Sequence, residues 1–170
     1  MTRRKVLLGF ILVHLPLVIG IYLGTSILPD YIVTRQQHLQ QTNFFLTGDK
    51  SLITNPQQLR IAEDCQIFLQ ALVEEYDSKL NAIAEKGYAE YQSLKASNPD
   101  YSTYNLAGKY LGKIDSLEKS CRTKLNQYLK QSNLSPELVK QARYTYQIKK
   151  ASIKQELYDR VKKDSSLRSE

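Results

Sequence analysis

The residues that could perform acid–base, nucleophilic or metal chemistry are few and scattered in this 170-residue chain. It has two histidines, His14 and His38, and two cysteines, Cys65 and Cys121. Metal and catalytic sites need such residues at characteristic spacings, and the sequence has no HExxH, CxxC, EF-hand, GxSxG or phosphate-binding glycine motif. We therefore predict no catalytic residue, no metal site, no cofactor and no small-molecule substrate.

Two further sets of residues, a group of carboxylates and the tyrosines, could bind a ligand, but a structural role explains each of them more simply. Glu74, Glu75 and Asp77 place three carboxylates within four residues, and a helix cannot turn all three toward one ligand, so we interpret them as a solvated surface. The chain also has 12 tyrosines. Tyrosine rings are amphipathic, so we place them at the rims of narrow helical interfaces, with stacking on sugars or in a partner groove as the alternative.

The charge of the chain changes sign along its length. The net charge is +7, with −4 over residues 30–100, +4 over 101–135 and +4 over 136–170. An acidic helix beside two basic helices gives favourable surface pairs, each worth about 0.2–1 kcal/mol. We therefore expect no nucleic-acid partner. Binding of an anionic polymer or a lipid headgroup is an alternative, but we favour the simpler interpretation that these charges are solvated.

Residues 6–28 are 23 consecutive residues without Asp, Glu, Lys or Arg. About 20 such residues cross a bilayer as a helix, so we predict a transmembrane anchor. Arg3, Arg4 and Lys5 form a basic flank over residues 1–5 that predicts a cytoplasmic N-terminus and an extracytoplasmic remainder. The alternative is a signal peptide cleaved near Gly24-Thr25-Ser26, but the apolar run is longer than a signal peptide requires.

The predicted span contains two features of its own. Gly20 and Gly24 form a GxxxG pattern, which allows two transmembrane helices to pack closely, although glycine is common in such helices. His14 lies near the middle of the span, two residues before Pro16. A neutral imidazole bonded to backbone carbonyls is the simpler interpretation, because no carboxylate accompanies it in the segment.

The rest of the chain has the periodicity of helices. Apolar residues recur every three or four positions, and Asn98-Pro99 and Asn133-Leu134 interrupt them. Ser135-Pro136-Glu137 is a typical helix start. The predicted organisation is a basic flank at 1–5, a span at 6–28, a juxtamembrane helix and linker at 29–56, a bundle at 57–163 with helices at about 57–97, 102–132 and 136–163, and a disordered tail at 164–170.

Short connections make consecutive helices antiparallel, so the predicted fold is all-α: a transmembrane helix followed by a helical hairpin or three-helix bundle with coiled-coil character. A turn between Ser97 and Ser102 makes facing residues of the hairpin sum to about 199. Gly87 then faces Gly112 and Tyr91 faces Gly108, so we expect close inter-helix approach with tyrosine rings over glycine backbone.

The same register bears on the two cysteines. Cys65 faces residue 134, which is about 20 Å of helix from Cys121. A disulfide needs Cα atoms within about 7 Å. We therefore predict two buried free thiols, with an intermolecular bridge as the alternative.

These features predict a non-enzymatic, single-pass membrane protein. Its exported helical domain is expected to contact a protein partner or a second copy, as an accessory, adaptor or spacer subunit, because long helices with narrow apolar stripes bury little core by themselves. The alternatives are an exported ligand-binding or sensor-like helical module, and a secreted helical protein if the N-terminal segment is cleaved.

Overall fold

The computed structural model of the protein describes residues 41–98, 101 and 103–167. All regular secondary structure in that part of the chain is helical. It consists of α1 (Phe44–Thr47), a 3₁₀ turn (Lys50–Leu52), α2 (Pro56–Ser97), α3 (Thr103–Gln131) and α4 (Pro136–Leu167). Residues 42–153 form one compact unit, while residues 1–41 and 154–170 form a second, of which only Gln41 and the last part of α4 are described.

Side-chain caps determine where the helices begin. The Asn55 side chain accepts hydrogen bonds from the backbone N–H groups of Gln57 and Gln58, at 2.9 and 3.2 Å, and Pro56 occupies the first position of α2. These bonds satisfy donors that have no partner inside the helix. Pro136 likewise opens α4, which continues to Leu167, four residues beyond the predicted bound.

Helices α2 and α3 pack as an antiparallel hairpin in a constant register. Lys124 on α3 bonds to Glu75 on α2, and Lys109 bonds to Glu90, so the numbers of both pairs sum to 199. Nearer the open end, the rings of Phe68 and Tyr128 stack with centroids 4.0 Å apart. This is the register expected from a turn near residues 98–102.

Helix α4 completes a three-helix bundle. Gln58 joins the start of α2 to the loop before α4, because its amide donates to the carbonyl of Asn133 and its side-chain oxygen accepts from the backbone N–H of Ser135. Asn133 takes a left-handed conformation with φ of 53°, which turns the chain between α3 and α4. Further along, Lys150 on α4 bonds to Glu118 on α3.

The core is wider than the apolar stripe predicted for α2. Apolar residues at steps of three or four predict the stripe Ile61, Cys65, Phe68, Leu72, Tyr76 and Leu80. Ala62 and Leu69 are buried but lie beside that stripe, whereas its member Phe68 is only half-buried. A helix in a three-helix bundle contacts two neighbours, so its buried face covers more than one narrow row of residues. The buried apolar residues of the long helices are Ala62, Cys65, Leu69, Leu72, Tyr76, Leu80, Leu106, Leu117, Cys121, Leu125, Leu129, Leu138, Ala142, Tyr146 and Ile153.

Residues 42–47 contribute three buried side chains to the core. Asn43 is 1% exposed, and its amide donates to the Gln141 carbonyl at 3.2 Å and to the Thr145 hydroxyl at 3.0 Å. Its side-chain oxygen caps α1 by accepting from the N–H of Phe45. Phe44 and Phe45 are 1% and 3% exposed. The stretch predicted as a juxtamembrane helix and linker, 29–56, therefore contains a segment, 43–45, that is part of the core and docks on α4.

No helix within residues 41–98 and 103–167 is long and apolar enough to cross a membrane. The span predicted at 6–28 and its basic flank lie outside the described residues.

The docked segment 43–45 should contribute measurably to stability. We expect Phe44→Ala to lower the free energy of unfolding by about 3–5 kcal/mol, because it empties a filled core position. Asn43→Ala should cost about 1–3 kcal/mol, because it strands buried hydrogen-bonding groups on α4. Chemical denaturation of the full-length chain measures both.

The matched control for these variants is Leu52→Ala, since Leu52 lies nearby in the 3₁₀ turn and is 40% exposed. Its effect should stay within about 0.5 kcal/mol of zero. Equal, small effects of all three substitutions would show that the segment is only a connector.

Candidate functional site

The α2/α3 hairpin has one well-buried part and one half-exposed part. Six residues of α2 between Ala62 and Leu80 are at most 3% exposed. After Leu80, the residues of α2 that face α3 keep intermediate exposure, although Leu106 on α3 is buried. We call residues 81–97 and 103–116 the hairpin end. Its half-exposed apolar residues are Ile83, Tyr91 and Leu94 on α2, and Tyr110, Leu111 and Ile114 on α3.

Two aromatic residues of the hairpin end are largely solvent-exposed. Tyr104 is 73% exposed and Tyr88 is 47% exposed. Among the other residues that the structure describes, the exposed large apolar side chains are those of Leu52 and Ile67. Tyrosine carries a large apolar ring with little rotamer entropy to lose, so exposed tyrosines beside a half-buried apolar seam favour contact with another molecule.

Tyr110 is held in place at the centre of the hairpin end. Its ring lies over Gly87, where an added Cβ would come within 3.2 Å of a ring carbon. Its hydroxyl donates to Glu90 at 2.8 Å, and the Lys113 ammonium lies 4.3 Å from the ring centroid. Lys109 donates to both oxygens of the same carboxylate, at 2.6 and 2.7 Å.

These contacts shift the pKa values of the groups involved. Hydrogen bonds from Lys109 and then from Tyr110 hold the pKa of Glu90 below its ordinary value. The Glu90 carboxylate in turn raises the pKa of both Lys109 and Tyr110. All three groups therefore keep their ordinary charge states near neutral pH, and the cluster fixes the orientation of the Tyr110 ring.

The four residues predicted to make close inter-helix approach have different environments. Gly87 lies beneath a tyrosine ring, which belongs to Tyr110. Gly108 and Gly112 are exposed, and an added Cβ at either would meet nothing within 4 Å, so the expected pairing of Tyr91 with Gly108 does not form. The side chain of Tyr91 is half-buried. The reason is rotational: Gly108 and Gly112 have the predicted level along α3 but lie on its outer side.

A polar layer crosses all three long helices inside the bundle. The Lys150 ammonium on α4 donates to Glu118 on α3 at 3.0 Å, and these side chains are only 13% and 11% exposed. The hydroxyl oxygens of Tyr76 and Tyr146 are buried beside this pair, and within the described residues neither makes a hydrogen bond of good geometry. Cys121 completes the layer, close to Tyr146.

Burial is the largest cause of the pKa shifts in this layer. It raises the pKa of Tyr76, with the Glu118 charge as the next cause, and it raises the pKa of Tyr146, with Cys121 next. Burial likewise raises the pKa of the Cys121 thiol. These groups stay protonated at neutral pH, so the layer offers no activated nucleophile and instead positions the helices.

Both cysteines are buried free thiols. Burial raises the pKa of Cys65 to about 12. Since the thiolate is the form that reacts and binds metal, Cys65 is chemically inert in the folded protein and acts as a small apolar core residue.

The carboxylates of the acidic cluster on α2, Glu74, Glu75 and Asp77, accept hydrogen bonds from neighbouring side chains. Glu75 accepts hydrogen bonds from Lys124 and Lys79, which lower its pKa. Glu74 accepts from Gln70, and Asp77 from Asn81. In the part of the chain that the structure describes, no group of three or more His, Cys, Asp or Glu side chains is arranged to hold a metal ion.

Several predicted residues lie outside the described part of the chain. These are Gly20 and Gly24, predicted to pack transmembrane helices, and Arg3, Arg4 and Lys5, predicted to set the topology. His14 also belongs to this group.

The structure also reveals contacts that sequence reasoning missed. The docking of residues 43–45 did have a signal in the sequence, because Asn43 before Phe44-Phe45 is the pattern of a helix cap followed by core residues. The Glu118–Lys150 pair had no such signal, because its members are 32 residues apart and lie beside the apolar stripes of different helices.

Comparisons with protein-family models, with curated proteins and with solved structures find no match to this chain. Its function therefore has to be inferred from its own residues, chiefly the hairpin end and the uncharged segment 6–28.

Alanine substitutions at Gly87, Gly108 and Gly112 should change stability differently, depending on whether the glycine is packed against a side chain or open to solvent. We expect Gly108→Ala and Gly112→Ala each to raise the free energy of unfolding by about 0.5–1 kcal/mol, because alanine lowers the entropy cost of the helix. Gly87→Ala should lack this gain, because its Cβ would lie 3.2 Å from the fixed Tyr110 ring. Denaturant titration measures the three values, and equal gains would contradict the Gly87 contact.

Removing one member of the buried Glu118–Lys150 pair should lower stability more than removing both. We expect Lys150→Met to lower stability by about 3 kcal/mol, because Glu118 then keeps a charge without its ammonium in a largely buried layer. The double variant Glu118→Leu/Lys150→Met should recover most of that loss. Thermal and chemical denaturation measure both variants, and a double variant no more stable than the single would contradict this account.

Proposed function

We propose that this chain is a non-enzymatic, single-pass membrane protein whose helical bundle contacts another protein, as an accessory, adaptor or spacer subunit. Residues 6–28 anchor it, residues 1–5 stay in the cytoplasm, and the bundle lies on the opposite side. The uncharged 23-residue segment with a basic flank before it supports the anchor and the topology.

The observation that carries the protein-contact part of the proposal is the incomplete burial of the hairpin end. Six residues of α2 from Ala62 to Leu80 are at most 3% exposed, whereas the apolar residues Ile83, Tyr91 and Leu94 that follow keep intermediate exposure. Two helices packed side by side cover only one side of each apolar stripe, so a further helix gains contact area by lying along the seam. Tyr88 and Tyr104 supply exposed rings at this place.

We further propose that α2 and α3 pack there as an antiparallel coiled coil. The constant register of Glu75–Lys124 and Glu90–Lys109 over 15 residues of α2 supports this, since a coiled coil keeps its facing levels aligned over several turns. The pinned Tyr110 ring gives a partner a rigid surface, which lowers the entropy cost of binding.

Membrane fractionation tests the anchor. We expect the full-length chain to stay in the membrane after alkaline extraction, and an N-terminal tag to be protected from protease added outside intact cells. Mass spectrometry of the mature N-terminus separates this result from a secreted protein, because cleavage near Ser26 would remove the span and overturn the anchor.

Site-specific crosslinking tests the contact surface. A photoreactive amino acid at Tyr88 should give one discrete adduct, a second copy or another protein, whereas the same group at the exposed position Thr123 on α3 should give none. Tyr104→Asp in the same chain should abolish the Tyr88 adduct, because it places a charge on the apolar surface. Unchanged adduct yield in that variant would overturn the hairpin end as the contact site.

A further inference from the structure

The outer surface of the α3/α4 pair has an excess of positive charge that the bundle does not neutralise. Residues 119–155 contain nine Lys or Arg and one acidic residue, Glu137. Seven of the nine are exposed, and five of these lie on the outer sides of the two helices, which we call the basic face: Lys119, Arg122 and Lys130 on α3, and Lys140 and Arg143 on α4.

Helical spacing and packing bring these residues to neighbouring surfaces. Lys119 and Arg122 are three residues apart on α3, and Lys140 and Arg143 are three apart on α4, so each pair lies along one side of its helix. The Glu118–Lys150 bond joins the two helices at the end of the basic face. Arg122 is also close enough to α4 for its charge to act on Tyr146.

The side chains of the basic face differ from the lysines that form ion pairs between helices. Lys124 pairs with Glu75 on α2, and Lys150 pairs with Glu118 on α3. On the basic face, Lys119 pairs with Asp115 and Lys140 with Glu137, each on its own helix, and the two lysine side chains stay 72% and 77% exposed. Among the described residues, no acidic group lies within 4.0 Å of the other three: Arg122, Lys130 and Arg143.

The opposite side of the bundle has the opposite charge. Residues 57–97, which include all of α2 after Pro56, contain four Lys or Arg and seven Asp or Glu. An anionic surface would therefore attract the α3/α4 side and repel the α2 side, which orients the bundle as well as binding it.

The attachment of the N-terminal segment identifies the nearest anionic surface. Asn43 docks on α4 at Gln141 and Thr145, at the same level along the helix as Lys140 and Arg143 but on another side of it. Only 14 residues, 29–42, separate that docking point from the proposed span. Such a segment reaches about 50 Å when fully extended and about 20 Å as a helix. With residues 6–28 in a bilayer, a connection of this length keeps the bundle close to the lipid surface.

We propose that the basic face binds the anionic headgroups of the bilayer that holds residues 6–28, so that the bundle lies with α3 and α4 toward the membrane. This inference rests on the proposed anchor. The tether makes binding intramolecular, so a weak, screened attraction is sufficient, and α2 with its acidic side faces away from the lipid.

A single introduced tryptophan tests the orientation, because the chain has no tryptophan of its own. Gln147→Trp places the reporter at an exposed position of α4 between Arg143 and Lys149, and Ile67→Trp places the control on α2, where Ile67 is 70% exposed. The full-length chain is reconstituted in nanodiscs whose lipids carry nitroxide headgroups, made of neutral phosphatidylcholine with or without about 30% phosphatidylglycerol.

We expect phosphatidylglycerol to increase the quenching of the Gln147→Trp reporter about twofold, and about 0.5 M NaCl to remove the increase by screening. The Ile67→Trp reporter should show no increase. Arg122→Gln/Arg143→Gln should abolish the effect, whereas Arg60→Gln/Lys86→Gln, which removes the same charge from exposed positions of α2, should leave it intact.

The possible failures are distinguishable. Equal quenching of the Gln147→Trp reporter in both lipid mixtures, with the protein still resistant to alkaline extraction, overturns the lipid-binding inference and leaves the anchor standing. Salt-sensitive self-association in the discs without lipid-dependent quenching overturns it in favour of a second copy whose acidic α2 covers the basic face. Loss of the chain from the discs on alkaline washing overturns the anchor itself.

Discussion

The apolar seam between α2 and α3 is the contact on which the rest of the structure depends. Glu75–Lys124 and Glu90–Lys109 keep the two helices at one register, and the stacked Phe68 and Tyr128 rings continue it toward the open end. A two-helix hairpin leaves one side of each helix uncovered, so the seam alone does not make a stable core. Helix α4 packs on the hairpin, where Gln58 joins α2 to the loop before α4 and Lys150 bonds to α3, and the segment 43–45 docks on α4.

The polar layer and the docked asparagine decide how the third helix is placed. Apolar contacts between helices tolerate sliding, whereas a buried ion pair such as Glu118–Lys150 is satisfied at only one level. Asn43 has the same effect at Gln141 and Thr145, because a buried amide needs its partners at fixed positions. The bundle is thus ordered by a few directional contacts within a largely apolar core, and the hairpin end lies beyond these contacts.

Much of the fold could be predicted from local sequence signals. Asn55-Pro56 and Ser135-Pro136 mark helix starts because their effects act within one turn, and the turn near Asn98 sets the hairpin register through chain connectivity alone. The close approach predicted for Gly108 and Gly112 does not form, because it depends on rotation about a helix axis, and the docking of residues 43–45 on α4 was not predicted. One narrow stripe also gave too small a core for α2, since periodicity does not reveal how many neighbours a helix has.

Residues close together in the chain were sufficient to predict the helical class, the starts of the three long helices, the alternation of charge and the uncharged segment 6–28. Only the tertiary structure decided which charges remain uncompensated, that Tyr110 rather than Tyr91 covers a glycine, and that Asn43 and its two phenylalanines belong to the core. The physical reason is that burial and pairing depend on which faces of distant helices meet. A rotation of a few tens of degrees, invisible in the spacing of residues, exchanges a packed glycine for an exposed one.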